Sequence, residues 1–286
     1  MKNVHYFLML LMAAALFISS DKPAYNLFKG DGERSDYDKM LKEVLDADII
    51  LFGELHDNPV IHWLELELTK SVYAEKKQKL ILGMEMFEAD DQLKINEYFA
   101  GSISEKSFED EARIWKNYKT DYKPIVLFGK SNSLSFIATN IPRRYASFVA
   151  KKGLDSLMFL SPEAKNYMAP LPIEVDLNLP GYKSMPSGGM SHGVSHLAEA
   201  QAVKDATMSY FILKNYSKGK IFLHFNGAYH SNNYEGIVWF LKKANKSLKI
   251  VTISAVEQSD ISKLSDENMK LSDFIIVIDD NMTKTN

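Results

Sequence analysis

Seven short apolar runs punctuate the chain: DIILFGE (48–54), KLILGMEMF (79–87), PIVLFGK (124–130), SFIATN (135–140), KIFLHFN (220–226), LKIVTISAV (248–256) and DFIIVI (273–278). Most are unbroken rather than alternating, which predicts strands covered on both faces, as in a parallel sheet. The segments between them have helical spacing. VIHWLELELTKSVYAEKK (60–77) sets Ile61, Leu64, Leu68 and Val72 on one face, and Pro59 precedes it, where a helix can begin. SHLAEAQAVKDATMSYFILKNY (195–216) predicts a second long helix. The alternation predicts an α/β fold with a mainly parallel central sheet flanked by helices.

Two regions interrupt the alternation. Residues 90–123 are charged and helical in pattern, and residues 155–217 contain the Pro/Gly/Ser-rich loop LPGYKSMPSGG (179–189). Both are expected to be helical insertions over one sheet edge, forming a lid or small subdomain within a single domain of residues 21–286. The tail MTKTN (282–286) reads as loose. At the other end, Lys2 precedes the apolar run Phe7–Ile18, followed by Ser19, Ser20 and Asp21. That order predicts a signal peptide over residues 1–20 and an exported, periplasmic or envelope-associated protein; the run is short for a bilayer span.

Composition narrows the chemistry. The 286 residues are 46% apolar and 25% charged with a net charge of −3, ordinary for a globular chain and without the basic excess of a nucleic-acid binder. There is no cysteine. Disulfides, thiolate metal or haem ligation, a cysteine nucleophile and lipoprotein anchoring through cysteine are thereby excluded. No strand is followed by a Walker-type loop or G-x-G-x-x-G, and no G-x-S-x-G elbow is present.

The ionisable groups cluster at predicted strand ends. Gly53, Glu54 and His56 end the first strand, Glu85 and Glu88 the second; Asn140 and Arg143 follow SFIATN, and Gly227 and His230 follow KIFLHFN. In a parallel sheet these ends share one edge, where ligands bind. The spacing Gly53-x-x-His56 recurs as Gly227-x-x-His230, with each glycine expected to permit a sharp turn. Glu54, His56, Glu85 and His230 suit a divalent metal such as zinc or manganese. Glu54 and Glu85 could act as bases, and Arg143 could bind an anion. His62 is expected either to face this cleft or to support its loop. His224 is expected in the core, and Glu65 and Glu67 on a solvated helix face.

The segments GELHDNPVIH (53–62), GMEMFEADDQ (83–92), Trp115/Tyr118/Tyr122, NIPRR (140–144), QAVKDATM (201–208) and GAYHSNNYEGI (227–237) resemble the ChaN-like haem-binding family of the wider Tiki/TraB and erythromycin-esterase-like superfamily. The resemblance runs through nearly the whole chain after residue 20. It implies haem as cofactor, a role in iron or haem acquisition, and contact with outer-membrane uptake machinery; it leaves a homodimer open. Without cysteine, tyrosine and histidine are the haem ligands to consider. Tyr118 and Tyr122 lie four apart near the expected lid, a spacing that also suits plain amphipathic packing. The family pattern points to His192 ahead of His196, upstream of Gln201 and Asp205. Superfamily relatives with paired G-x-x-H motifs imply an alternative, a metal-dependent peptidase or esterase.

Overall fold

A computed structural model describes residues 22–185 and 195–285. The signal-peptide segment and His192 lie outside the described residues. Eight strands form one sheet: β1 (Tyr25–Lys29), β2 (Arg34–Ser35), β3 (Ile49–Glu54), β4 (Leu80–Glu88), β5 (Ser135–Asn140), β6 (Ile221–Gly227), β7 (Ile250–Gln258) and β8 (Phe274–Asp279). Their order is β2-β1-β8-β7-β3-β6-β4-β5. From β8 to β5 every pairing is parallel, and only β1 runs antiparallel to its neighbours. The chain winds outward from β3 through β4 to β5, then returns to place β6 between β3 and β4. The centre of the sheet is therefore where the winding reverses, and the crevice at a parallel sheet's strand ends opens there.

Eight helices are numbered here: α1 (Tyr37–Val44), α2 (Pro59–Lys76), α3 (Gln92–Phe99), α4 (Glu105–Glu111), α5 (Lys123–Ser131), α6 (Arg143–Lys152), α7 (Leu197–Asn215) and α8 (Ile237–Ala244). Successive residues of a strand face opposite sides. In β3, Ile50 and Phe52 join a core with Ile61, Leu64 and Leu68 of α2 and Ile125 of α5. Ile49 and Leu51 join the opposite core with Met208 and Ile212 of α7 and Leu241 of α8. Every residue of β3 and β6 is buried, which is why their sequences are apolar without alternation.

Three expectations change. PIVLFGK is helix α5, not a strand. Pro124 occupies its first turn, where a missing N–H costs nothing, and Ile125, Val126 and Gly129 form its buried face while Leu127 is exposed. The helix predicted at 195–216 is α7, and it packs on the sheet face as a crossover helix instead of lying over an edge. The tail is tied down. Thr285 donates its backbone N–H to the Asp57 carbonyl at 2.8 Å and its hydroxyl to Asp121 Oδ2 at 2.7 Å. Among the described residues no helix is long and apolar enough to cross a membrane.

Candidate functional site

The loops after β3, β4, β5 and β6 converge on one cleft of about 1160 Å³. Its wall includes Glu54, His56, Glu85, Glu88, Arg143 and His230, so the strand-end groups singled out in the sequence do meet. Local sequence explains the first loop. Asn58 caps α2 by accepting from the backbone N–H groups of Val60 (3.1 Å) and Ile61 (3.3 Å), and Pro59 starts the helix. That fixes the turn carrying His56. Glu85 sits where the β4–β5 register breaks, between Met84 and Glu88, so its side chain turns toward β6.

The two G-x-x-H glycines serve close approach, not sharp turning, for neither has a positive φ. A Cβ on Gly53 would stand 2.9 Å from Ala228 Cα, and one on Gly227 would stand 2.7 Å from His56 Nε2. Each motif is thus the surface on which the other rests.

The ionisable groups form two pairs. His56 Nδ1 is hydrogen-bonded to Glu54 Oε1, which also accepts the Tyr122 hydroxyl at 2.8 Å. The His56 side chain is 42% exposed and stacks edge-on against Trp115, with ring centroids 4.9 Å apart. Because Nδ1 is engaged, Nε2 is the nitrogen left for a ligand. In the second pair, His230 Nε2 lies 3.2 Å from Glu85 Oε1, and Nδ1 donates to Asp205 Oδ1 at 2.5 Å. Asp205 also accepts the Tyr182 hydroxyl at 2.5 Å, and Glu85 Oε2 accepts the Gly227 N–H at 2.9 Å.

The electrostatics follow. Burial disfavours the charged imidazole of His230, but Glu85 and Asp205 outweigh it and raise its pKa to about 10. Burial would likewise raise Glu85; His230, then His56, hold it well below the usual carboxylate range. His56 is raised because Glu54 and Glu85 overcome its own desolvation. At neutral pH His230 is therefore an imidazolium with both nitrogens protonated and engaged. Both of its nitrogens are engaged, by Glu85 and Asp205, whereas His56 has only Nδ1 engaged, by Glu54.

Residues 40–241 match the model of the family described as haem-binding uptake, Tiki superfamily, ChaN. The chain belongs to this family. It is similar in structure to the Campylobacter jejuni ChaN described in terms of cofacial haem binding, with 18% identity and a TM-score of 0.59, over 89% of this chain and 96% of that one. A Bacillus cereus protein shares 10% identity and a TM-score of 0.52, over 90% of this chain and 95% of that one. At these identities both show a common fold. No curated protein matches the sequence.

Within this ChaN-family chain the remaining expectations sort by position. Tyr118 and Tyr122, expected near a lid, belong to a π-helical turn whose side chains enter the core. Tyr118 packs beside Phe87 and Phe108 with its hydroxyl unpartnered, and Tyr122 faces Glu54. Neither lines the cleft. Arg143 does, exposed and without an ion-pair partner among the described residues, whereas Arg144 pairs with Asp90 at 2.6 Å. His196 is hydrogen-bonded to Glu199 at 2.7 Å, away from the cleft lining. His224 is a core residue, its pKa lowered by burial to about 4 and its ring held by Thr139 and Asn226. Glu65, expected on a solvated face, is fully buried beside His62.

Sequence reasoning passed over Trp115, Lys116, Lys204 and Lys284 as cleft-lining groups. A signal existed for α7: Gln201, Lys204 and Asp205 fall at i, i+3 and i+4, a polar stripe along one face. None existed for Lys284, which reaches the cleft only through tertiary folding.

Proposed function

We propose that this protein is an exported haem-binding protein serving iron or haem acquisition, with haem held in the cleft at the strand ends of β3, β4 and β6. The observation that carries the reading is His56, whose Nδ1 is fixed by Glu54 and whose Nε2 faces a cleft of about 1160 Å³. A second group orienting an imidazole in this way is what metal-ligating histidines require. Trp115 supplies a flat apolar wall. Lys116, Arg143 and Lys204 line the same cleft and suit carboxylate groups such as propionates. Bound haem would supply an iron centre for ligation and electron exchange. The residues fit it through His56, not through the buried Tyr118 and Tyr122.

The apolar run Phe7–Ile18 behind Lys2 supports export to a periplasmic or envelope compartment. Transfer to outer-membrane uptake machinery and a homodimer sharing haem across the cleft mouth belong to the same proposal.

One observation favours a hydrolytic second reading: the pairs Glu54–His56 and Glu85–His230 flank the same glycine, as an acid and a base would flank a substrate. Titration of purified protein with haemin, followed at the Soret band, separates the two. Saturable one-to-one binding that fails in His56→Ala supports the haem reading. No saturable binding, together with turnover in a peptide and ester screen, replaces it with the hydrolase.

A further inference from the structure

Behind the His56–Glu54 pair, on the side away from the cleft, lies a second cluster that the proposed function does not use. It comprises Glu54, His62, Glu65 and Asp121, each at most 4% exposed. His62 Nδ1 lies 3.2 Å from Glu65 Oε2 and 3.4 Å from Glu54 Oε2. One oxygen of each glutamate, Glu54 Oε2 and Glu65 Oε1, is buried without a hydrogen-bond partner. One ligand atom from each of Glu54, His62 and Glu65 falls within 4.8 Å of the others.

We infer that Glu54, His62 and Glu65 form a buried site for one divalent transition cation of the zinc or manganese type. Three observations carry it. First, the spacings are those of neighbouring ligands around one ion: bonds of about 2.0–2.2 Å place tetrahedral ligand atoms roughly 3.3–3.6 Å apart. They are long for charge-assisted hydrogen bonds, which run about 2.7–2.9 Å, and one Nδ1–H cannot serve two carboxylates well. Secondly, the far side of the His62 ring is held as a ligating histidine's is. Nε2 is 3.2 Å from the His56 carbonyl and 3.5 Å from Asp121 Oδ2, two acceptors that suit an Nε2–H, and in that tautomer the Nδ1 lone pair points into the cluster. Asp121 is itself positioned by Asn117 Nδ2 at 2.6 Å. Thirdly, three buried carboxylates surround a single imidazole. Glu54 also meets His56 through Oε1, but Glu54 Oε2 and Glu65 Oε1 remain without partners in a water-excluded space, where orphaned oxygens need a cation or a proton.

The donor set of one nitrogen with carboxylate oxygens suits zinc or manganese and excludes a soft-metal preference. Glu54 would then be shared, with Oε2 on the ion and Oε1 on His56, linking the buried cation to the cleft histidine.

The test is metal content. The protein is unfolded in guanidinium with a chelator and refolded with ZnCl2 or with MnCl2, so that a buried site can load. Bound metal is measured by mass spectrometry, and Tm is followed against metal concentration. The expectation is one ion per chain, a Tm that rises with metal, and a zinc absorption-edge spectrum fitting one imidazole with oxygen ligands. Changing outer groups alone costs about 10–100-fold in metal affinity, so Glu65→Gln should weaken binding by about 100-fold or more, while Glu85→Gln keeps the ion. Refolded wild-type protein without bound metal overturns the inference. In that case the glutamates share a proton, and Glu65→Gln leaves Tm unchanged or raised. A bound ion with two imidazoles, or one lost in Glu85→Gln and kept in Glu65→Gln, also overturns it, placing the metal in the cleft. If Glu65→Gln fails to fold, the imidazole count in wild-type protein decides. Haemin binding is read separately at the Soret band, so either conclusion can fail alone.

Discussion

His230 and Asp205 are joined Nδ1 to Oδ1 at 2.5 Å, a bond that ties the loop after β6 to the middle of helix α7. Both side chains are buried, and Asp205 is one of the two carboxylates that raise the pKa of His230. Asp205→Asn should cost about 3 kcal/mol, as breaking one side of a buried pair does, measured by urea denaturation at pH 7. A loss below about 1 kcal/mol would show that Glu85 alone satisfies His230.

The same network sets a pH window. The folded pKa of His230, about 10, lies above its ordinary 6.5, so its contribution is complete below about pH 6.5 and is lost as pH rises through about 10. The folded pKa of Glu85 is depressed. Its contribution is complete above about pH 4.5 and disappears as acid carries it through that depressed value. Stability should therefore be greatest between these limits, and in Asp205→Asn the alkaline loss should be smaller and complete at lower pH. An NMR titration of His230 that ends near 6.5 would contradict the assignment.

His56→Ala should abolish saturable haemin binding while leaving the protein folded, because the ring is largely at the cleft surface and Tyr122 still donates to Glu54. The stability cost should be about 1 kcal/mol, one net hydrogen bond. An unchanged Soret titration would remove His56 as the ligand.

Gly227→Ala tests the same nitrogen from the other side. The backbone there has φ −53, which alanine accepts, so the effect is steric: the added Cβ would meet His56 Nε2 at 2.7 Å. Haemin affinity should fall by at least about tenfold, equivalent to roughly 1.4 kcal/mol, with the far-UV circular dichroism unchanged. Wild-type affinity would mean that His56 is free to move aside.

The buried tyrosines should behave in opposite ways. Tyr122→Phe removes a donor from Glu54 and should cost about 1 kcal/mol. Tyr118→Phe removes a buried hydroxyl that has no partner, so stability should be unchanged or raised by about 1 kcal/mol. Both should leave the Soret position of the haemin complex where it is in the wild type; a shift in either would return that tyrosine to the ligand set.

The legible part of this molecule is its central sheet. β3 and β6 fall within a residue of their apolar runs, because strands buried on both faces must be mostly apolar. PIVLFGK failed by the same rule: a short apolar run with a proline in front suits either a strand or one helix face, and only the position of Pro124 in a first turn decides. β1 and β2 carried no signal, since YNLFK is short and half-buried and RS has two residues. At the site, the G-x-x-H spacing located His56 and His230 but not their states. Those depend on Asp205, Tyr122 and Asn117, whose partners lie 25 to 68 residues away in the chain. Glu65 was misplaced because its charge was weighed above its spacing: it falls four residues after Ile61 and three before Leu68, on the buried face of α2.

The edge of the sheet has a consequence in time. β1 begins at Tyr25, yet the strand it pairs with, β8, ends at Asp279, and Thr285 anchors both Asp57 and Asp121. During synthesis the amino-terminal segments emerge first and wait, with β1 lacking the neighbour that completes its hydrogen bonds. The molecule is a clasp whose catch, β8, is made long after the strand it fastens, so this edge of the sheet closes late.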